Sequence, residues 1–313
     1  MSKILVIGAG GQLGLELLPA LAAQYGDTQV VAADLQPIQT PYTQVQLDVT
    51  DRENLEAIIR QHGVSQIYLL AAFLSAKGEE QPALAWRVNM NGLMNVLDLS
   101  VKHQIQKVFW PSSIAVFGPS SPSTATPQHT VMEPATIYGI SKQAGEGLCA
   151  WYHRKHGLDV RSLRYPGLIS YKVQPGGGTT DYAVHIFYEA LARAAYTSFL
   201  AADSRLPMMY MPDAVRATLQ LMEAPAEAIR VRQSYNLAAI SFTPAEIAAA
   251  IKAHIPEFQI DYAPDFRQAI ASSWPQSIDD SAARADWGWQ HEYNLDRMVA
   301  DMLENMKKLQ LAG

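Results

Sequence analysis

Cysteine is almost absent from this chain, and its charged residues are few and never gather into a long run of one sign. The single cysteine, Cys149, excludes an internal disulfide and a cysteine-rich zinc site, so a reducing compartment is expected. Its apolar neighbours in Leu148–Trp151 argue against catalytic thiol chemistry. With 30 acidic and 24 basic residues, the net charge of −6 makes nucleic acid and anionic membranes poor partners.

Long hydrophobic runs are also missing. The longest wholly hydrophobic run, Ile67 to Leu74, has eight residues, whereas a membrane span needs about 20. The opening residues Met1-Ser2-Lys3 lead straight into the apolar segment Ile4–Ile7, so we expect no signal or transit peptide. The sequence therefore predicts a cytoplasmic protein with no membrane partner.

What the chain does contain is the composition of a globular protein, with 49% hydrophobic and 17% charged residues. Its first half alternates short β-branched runs with longer segments of helical periodicity, which is typical of βαβ units and a parallel sheet covered on both faces. The predicted strands are Ile4–Ile7, Val30–Ala33, Thr43–Leu47, Gln66–Leu70, Lys107–Trp110 and Asp159–Leu163. The predicted helices among them are Leu13–Tyr25, Arg52–His62, Leu84–His103 and Tyr138–His156. The expected fold is α/β, a Rossmann doubly wound parallel sheet.

The character of the sequence changes after Arg164, where the glycine-rich segment Pro175-Gly176-Gly177-Gly178 punctuates long loops. Later helices are predicted at Tyr182–Ala195, at Asp213–Ala224, from a capping box at Thr243, and from Leu295 to about Leu309. We therefore expect a Rossmann domain over residues 1–165 and mainly a smaller C-terminal substrate lobe over 166–313, with later segments returning to the first domain.

A glycine motif, Gly8-Ala9-Gly10-Gly11-Gln12-Leu13-Gly14, follows the first predicted strand and opens a helix. Gly8 allows a sharp turn, Gly11 lets the backbone approach a pyrophosphate, and Gly14 packs the helix on the strand. Asp34 ends the second strand twenty residues after Gly14. A carboxylate there accepts hydrogen bonds from the adenosine ribose and repels a 2′-phosphate, so NAD rather than NADP is the expected cofactor.

A second motif, Tyr138-Gly-Ile-Ser-Lys142, opens a predicted helix, where residues four apart share a face. A tyrosine normally titrates at about 10, and a cation about 4 Å away lowers that pKa by roughly one to three units. Twenty-five residues before Tyr138, the strand Lys107–Trp110 runs into Pro111-Ser112-Ser113, whose hydroxyl would hold a substrate oxygen. These residues supply the base, the cation and the donor of a hydride-transfer enzyme. The alternative is a surface helix with an exposed tyrosine and lysine.

Through these motifs the whole chain resembles the extended short-chain dehydrogenase/reductase family. The resemblance implies that Ser113, Tyr138 and Lys142 form the catalytic triad, with Ser113 rather than its neighbour Ser112 at the usual spacing. It also implies a set of NAD-binding positions: Gly8, Gly11, Gln12, Leu13, Gly14, Asp34, Asp48, Val49, Leu70, Ala71, Ala72, Asn91, Tyr138, Lys142, Tyr165 and Pro166. Because the family tends to pair through two helices, here Leu84–His103 and Tyr138–His156, it implies a homodimer.

Four irregular segments of the second half resemble one branch of that family, the short-chain type of L-threonine 3-dehydrogenase: Arg164–Lys172, Gly178–Ala183, Leu206–Asp213 and Ser273–Ser277. This resemblance implies NAD-dependent oxidation of L-threonine at C3 to 2-amino-3-ketobutyrate, a step of threonine catabolism. The substrate contacts that it implies are Ser75, Ser113, Tyr138, Thr179 and Thr180.

The substrate pocket leaves some alternatives open. Threonine needs short donors for its carboxylate, which Thr179 and Thr180 can supply, and an acceptor for its ammonium. Asp181 is the nearest candidate acceptor, although it reads equally well as an N-cap for the following helix. Trp274 reads equally as a lid or as packing. No histidine or cysteine pattern has metal-ligand spacing, so no metal is expected.

Two other functions also stay open. A nucleotide-sugar epimerase or dehydratase would use the same triad and retain NAD between half-reactions. Its diphosphate substrate calls for basic side chains in the second lobe, where Arg205, Arg216 and Arg267 are scattered. A redox-sensing regulator would bind the dinucleotide without catalysis, but it would not require an intact triad.

Overall fold

The computed structural model describes residues 3–174 and 176–312; Met1, Ser2, Pro175 of the predicted glycine-rich segment and Gly313 lie outside the described residues. The strands of the first half are β1 (Lys3–Ile7), β2 (Val30–Asp34), β3 (Thr43–Gln46), β4 (Val64–Leu69), β5 (Lys107–Phe109), β6 (Ser112–Ser113) and β7 (Val160–Arg161). All of these except β6 form one parallel sheet in the order β3-β2-β1-β4-β5-β7. This order confirms the predicted doubly wound Rossmann fold.

The helices of the first half are α1 (Gln12–Tyr25), α2 (Arg52–His62), α3 (Ser75–Glu80), α4 (Pro82–Trp86), α5 (Gly92–Lys102) and α6 (Ile137–His156). A π-helical turn, Arg87–Asn91, joins α4 to α5, so the helix predicted over Leu84–His103 is a continuous run of three pieces. The prediction did not include α3, because a helix of six residues is too short to produce a periodic pattern.

The rest of the chain builds the lobe and also returns to the sheet. Its strands are β8 (Leu163–Tyr165), β9 (Gly167–Ile169), β10 (Ala195–Ser198), β11 (Leu206–Tyr210), β12 (Tyr235–Asn236), β13 (Ile240–Phe242) and β14 (Gln259–Tyr262). Its helices are α7 (Tyr182–Arg193), α8 (Met211–Glu223), α9 (Pro244–Lys252), α10 (Phe266–Ser272), α11 (Ser281–Trp287) and α12 (Leu295–Ala312). The strands pair in three small sheets, β12-β8-β6, β13-β11-β9 and β10-β14.

Side chains of β1 alternate between the two faces of the central sheet. Ile4 and Val6 share a core with α1 and α8, whereas Leu5 and Ile7 share a core with α2, α5 and α6. Both faces are therefore covered by helices, as a buried parallel sheet requires. A third core fills the lobe between α7, α9 and α12.

Helix ends follow the local sequence. Thr243 and Glu246 form the predicted capping box at α9: the Thr243 side chain accepts from the Glu246 N–H, and the Glu246 carboxylate accepts from the Thr243 N–H. The 20-residue helix α6 ends at Gly157, whose backbone is left-handed. Across residues 3–174 and 176–312, no helix combines the length and the apolar character that crossing a membrane demands.

Candidate active site

The carboxyl ends of the central strands open into a cavity of about 260 Å³, which the lobe closes from the other side. The opening lies where the strand order reverses between β1 and β4, the position at which doubly wound sheets bind ligands. Most of the predicted site residues line this cavity: Gly8, Gly11, Gln12, Leu13, Gly14, Leu70, Ala72, Ser75, Ser113, Tyr138, Lys142, Tyr165, Pro166, Thr179 and Thr180. Segments that are more than 100 residues apart in the chain therefore meet at one place.

The glycine motif forms one side of the cavity, and the backbone geometry there is suited to binding an anion. Gly8 has φ +85°, and a Cβ atom there would lie 2.5 Å from the backbone nitrogen of Ala71, so glycine is required. The next element is α1, whose N-cap Gly11 has no side-chain capping bond among the described residues. The first N–H groups of α1 are thus available to a phosphate. This donor set fits the pyrophosphate of a dinucleotide.

Three other predicted cofactor positions, Asp34, Asp48 and Val49, are not among the residues that line the cavity. Asp34 ends β2, and its Oδ2 accepts a hydrogen bond of 2.8 Å from the Gly10 N–H, which holds the carboxylate beside the glycine motif. Asp48 accepts 2.8 Å hydrogen bonds from both the N–H and the hydroxyl of Thr50, and Val49 is buried next to it. The Asp34 carboxylate therefore lies beside the glycine motif, and its contact with a ribose stays a prediction.

The prediction that Asn91 binds the cofactor is wrong, because the structure does not bring this residue to the cavity. Its side chain is exposed, and the inward-facing asparagine of the π-helical turn is Asn89, two residues earlier and so on the opposite side of the helix. Asn89 accepts from the Phe73 N–H at 2.7 Å and donates to the Phe73 carbonyl at 3.2 Å and to Ser141 Oγ at 3.1 Å. The sequence alone does not show which of the two asparagines faces inward, because this depends on how the π-helical turn orients each side chain.

The start of α6 packs closely on the chain that follows β6. Thr136 caps α6 by accepting a 3.0 Å hydrogen bond from the Gly139 N–H. A Cβ atom on Gly139 would lie 2.1 Å from the carbonyl oxygen of Ala115, so any other residue would force the two segments apart. This contact brings Tyr138 to the same cavity as Ser113, and a hydrogen bond from Ser113 reaches the tyrosine side chain.

Lys142 lies one helical turn beyond Tyr138 and is buried. Its Nζ donates a 2.6 Å hydrogen bond to the carbonyl oxygen of Pro111. The same nitrogen lies 4.6 Å from the centroid of the Trp110 ring and 5.5 Å from the centroid of the Tyr138 ring. The cation and the phenol are therefore neighbours on one face of α6, as their spacing predicts.

The pKa values of this pair differ from the sequence-based expectation. Burial raises the pKa of Tyr138 to about 12, although the hydrogen bond from Ser113 opposes the shift. Burial also lowers the pKa of Lys142 to about 7, against the opposing influence of Cys149 and Glu146. The expected lowering of the tyrosine pKa by the lysine is absent here, because desolvation of the buried phenol is the dominant influence on that pKa.

Two polar groups of the cavity lining have no hydrogen-bond partner within the described part of the chain. They are the Thr179 hydroxyl and the Trp274 indole N–H, and both side chains are buried. A buried donor without a partner costs free energy, so such groups indicate a polar ligand. Trp274, which reads from the sequence as either a lid or packing, is therefore part of the cavity wall.

Asp181 also lines the cavity, and its side chain organises the glycine-rich loop. Its Oδ2 accepts hydrogen bonds from the backbone N–H groups of Gly177 at 2.8 Å and Gly178 at 2.6 Å. Although Asp181 stands at the N-cap position of α7, its side chain forms no capping bond to that helix. Burial raises the pKa of Asp181, while the two backbone hydrogen bonds oppose the shift.

The three lobe arginines that a diphosphate would need are already paired. Arg205 binds Glu246, Arg216 binds Asp213, and Arg267 binds Asp265. Among the described residues, Lys142 is the single lysine or arginine of the cavity lining. The cavity therefore offers little positive charge to an anionic substrate.

Comparison with known proteins yields one family and several close relatives. Residues 4–238 match the model of the NAD dependent epimerase/dehydratase family. The mitochondrial L-threonine 3-dehydrogenase of Sus scrofa is 46% identical over 308 residues, which cover 96% of this chain and 82% of that protein. The GalE-like L-threonine dehydrogenase of Cupriavidus necator in its holo form is 60% identical, with a TM-score of 0.96 over 97% of this chain and 99% of that one. A monomeric L-threonine 3-dehydrogenase from a metagenome, in its apo form, is 46% identical, with a TM-score of 0.96 over 98% and 99% of the two chains.

Proposed function

Because the chain belongs to the NAD dependent epimerase/dehydratase family, we propose that it is an NAD-dependent L-threonine 3-dehydrogenase. The reaction oxidises the C3 hydroxyl of L-threonine to give 2-amino-3-ketobutyrate. The observation that carries the proposal is that one small cavity is lined by Ser113, Tyr138 and Lys142 together with the short polar residues Ser75, Thr179 and Thr180. Similarity to L-threonine dehydrogenases over nearly the whole chain supports the same substrate.

Three side chains of this protein carry the chemistry in the proposal. Tyr138 is the general base that removes the proton of the C3 hydroxyl. Ser113 donates a hydrogen bond that orients the same oxygen. Lys142 favours the tyrosinate through its positive charge and binds the nicotinamide ribose. When bound, NAD would supply the hydride acceptor for C3.

The cofactor is held mainly by backbone groups in this proposal. The glycine motif and the first turn of α1 bind the pyrophosphate, and Asp34 accepts from the adenosine ribose. Asp48 and Val49 lie toward the adenine. The remaining contacts are with Leu70, Ala71 and Ala72 after β4, and with Tyr165 and Pro166 at the end of β8.

The substrate is recognised by short polar groups around the cavity. The threonine carboxylate accepts from the Thr179 hydroxyl and the Trp274 indole N–H, the two donors that lack partners. Thr180 and Ser75 complete the polar wall. The ammonium lies toward Asp181, the single carboxylate of the lining among the described residues.

A nucleotide-sugar epimerase or dehydratase is the second candidate, because the family name covers both reactions. That function is less favoured, since a diphosphate needs free cationic side chains. Arg205, Arg216 and Arg267 are each engaged by a carboxylate of their own.

The proposal is tested by following NADH formation at 340 nm with a panel of substrates. The panel contains L-threonine, D-threonine, both allo isomers, L-serine and UDP-sugars. L-threonine should give the highest kcat/KM. NADH formation confined to other compounds, or interconversion of a UDP-sugar without net NADH, would favour the epimerase.

The cofactor preference gives a separate prediction about Asp34. Asp34→Asn keeps an oxygen to accept from the Gly10 N–H but removes the negative charge that faces a 2′-phosphate. The ratio of kcat/KM for NAD to that for NADP should fall by about tenfold or more, as expected for removing a like charge at about 4 Å. The matched control is Asp27→Asn, which changes an exposed carboxylate after α1. Equal use of both cofactors by the unaltered enzyme would contradict the proposed role of Asp34.

We also propose that the protein forms a homodimer through α5 and α6. The outer face of α6 exposes two large apolar side chains, Ile140 and Trp151, which are 43% and 44% exposed. Gly147 lies between them on the same face, and a Cβ atom there would meet nothing within 4 Å. A flat apolar face with a central glycine allows close approach of a second helix.

Gly147→Glu should therefore convert the dimer to a monomer, because it introduces a charge at the centre of the proposed interface. The measurement is sedimentation velocity at micromolar protein concentration. Gln24→Glu serves as the control, because it adds the same charge at an exposed position of α1 on the opposite face of the sheet. A monomeric unaltered protein, like the relative described as monomeric, would refute the dimer.

A further inference from the structure

An ion pair between α6 and β8 lies behind the cavity and is completely buried. Arg164 Nε donates to Glu146 Oε1 at 2.8 Å, and Arg164 Nη2 donates to Glu146 Oε2 at 2.7 Å. The side chains are 2% and 0% exposed. Removing two charges from water costs much of what their attraction returns, so stability alone does not account for a buried pair.

The arginine has partners for its remaining donors as well. Arg164 Nη1 donates at 3.0 Å both to the Gln128 carbonyl and to Asn236 Oδ1. Because Arg164 is held from several sides, it fixes the carboxylate of Glu146 in one orientation. Glu146 thus presents a rigid acceptor toward the cavity.

That acceptor binds the residue next to the proposed catalytic serine. Ser112 Oγ donates to Glu146 Oε1 at 2.7 Å, and Ser112 is buried. Ser112 and Ser113 form β6, which pairs in parallel with β8 so that Ser112 lies opposite Arg164. Glu146 therefore holds β6 directly through Ser112 and holds its neighbouring strand through Arg164.

Three side chains of α6 contact the chain at residues 111–113. Tyr138, Lys142 and Glu146 follow one another at intervals of four residues along one face of α6. They meet Ser113, the Pro111 carbonyl and Ser112 respectively. Of these three contacts, the Ser112–Glu146 hydrogen bond is the one farthest from the Tyr138 hydroxyl, because Glu146 lies two helical turns from Tyr138.

We propose that Glu146 is a positioning residue, which sets the distance between Ser113 and Tyr138 by holding the Ser112 hydroxyl. Arg164 contributes by fixing the carboxylate, and neither residue touches the substrate. This inference rests on the proposed role of Tyr138 as the base. A second consequence of the same placement is that Glu146 supports the charged form of Lys142, against the effect of burial.

Ser112→Ala is the decisive variant, because it removes the Ser112–Glu146 hydrogen bond and leaves the Glu146–Arg164 ion pair intact. We expect kcat for L-threonine to fall about tenfold, the size of effect of one hydrogen bond to a charged group. KM for NAD should change little. Because Ser113 would no longer be held against Tyr138, the hydrogen bond that lowers the tyrosine pKa weakens, and the acidic limb of the kcat profile should move to higher pH.

The charged and titratable groups around Ser113 and Tyr138 lie on several elements. Lys142, Glu146 and Cys149 lie on α6 itself, and Arg164 and Tyr165 belong to β8. Asp181 lines the far wall of the cavity, and Glu79 of α3 accepts from the Ile137 N–H beside Tyr138. Ser112→Ala changes none of them. A shift of the acidic limb in this variant therefore reports the geometry of Ser113 and Tyr138.

Ser100→Ala is the matched control. Ser100 is a completely buried serine of α5, and its hydroxyl has no partner in the described part of the chain. It should leave kcat and the pH profile unchanged. Glu146→Gln is the second variant; it removes the carboxylate charge beside Arg164 and should lower both kcat and the thermal unfolding midpoint.

Unchanged kcat and pH profiles in both Ser112→Ala and Glu146→Gln would overturn the inference. So would a loss of thermal stability in Ser112→Ala without a change in its pH profile, since that would indicate a structural role only. Failure of the proposed function looks different, because the unaltered enzyme would then form no NADH with L-threonine.

Discussion

Replacing Tyr138 with phenylalanine should lower kcat for L-threonine oxidation by roughly 10² to 10⁴, the usual contribution of a general base. The change removes the hydroxyl but keeps the ring that lines the cavity. NAD binding should change little, because the glycine motif and α1 carry most of it in the proposed function. Steady-state NADH formation measures kcat, and titration of protein fluorescence with NAD measures the dissociation constant.

Tyr262→Phe provides the control for this experiment, because Tyr262 is an exposed tyrosine of β14 away from the cavity. It should keep the activity of the unaltered enzyme. If Tyr138→Phe retained most of its activity with L-threonine, the proton would have to leave through another group and the proposed mechanism would be wrong.

Lys142→Met should damage both catalysis and cofactor binding. Oxidation requires a deprotonated base, so the rate falls as the pH drops below the pKa of Tyr138. Burial raises that pKa to about 12, and in the proposed mechanism the positive charge of Lys142 favours the tyrosinate during turnover. Without it, the acidic limb of the kcat profile should move to higher pH, kcat near neutral pH should fall by roughly 10² or more, and the dissociation constant for NAD should rise.

The measurement compares the pH dependence of kcat for Lys142→Met with that for Lys155→Met. Lys155 is an exposed lysine on the same helix, and its replacement should leave the limb in place. An acidic limb at the same pH in Lys142→Met and in the unaltered enzyme would show that the lysine does not tune the base.

Most of the central sheet could be predicted from the sequence because β1, β2 and β4 are buried and contain mainly apolar residues. The edge strand β3 is mostly exposed and polar. The third strand, predicted over Thr43–Leu47, spans Thr43–Gln46 in the structure. The strands of the second half were harder to predict, because strands of two or three residues such as β8 and β12 exist only through pairing with distant segments. Such pairing leaves no periodic signal in the local sequence.

The residues of the candidate site also fall into two groups, those that the sequence predicts and those that it does not. Gly8 and Tyr138 belong to motifs whose spacing expresses a local geometry, a turn or one helical face. Asn89 and Glu146 act through contacts with residues far along the chain, so no local pattern marks them. The pKa values of Tyr138 and Lys142 depend on burial in the folded protein, which spacing alone does not reveal.

The interleaving of the two halves has a consequence for protein engineering. Helix α8, from the second half, covers the same face of the central sheet as α1, and β12 pairs with β8 beside β6. We infer that a fragment cut at residue 165 would uncover the apolar side of β1 and would lose β12, the strand that supports β8 on the side away from β6. Exchanging substrate specificity between relatives therefore requires grafting several separate segments around the cavity, since a single crossover point would divide the scaffold that both halves build.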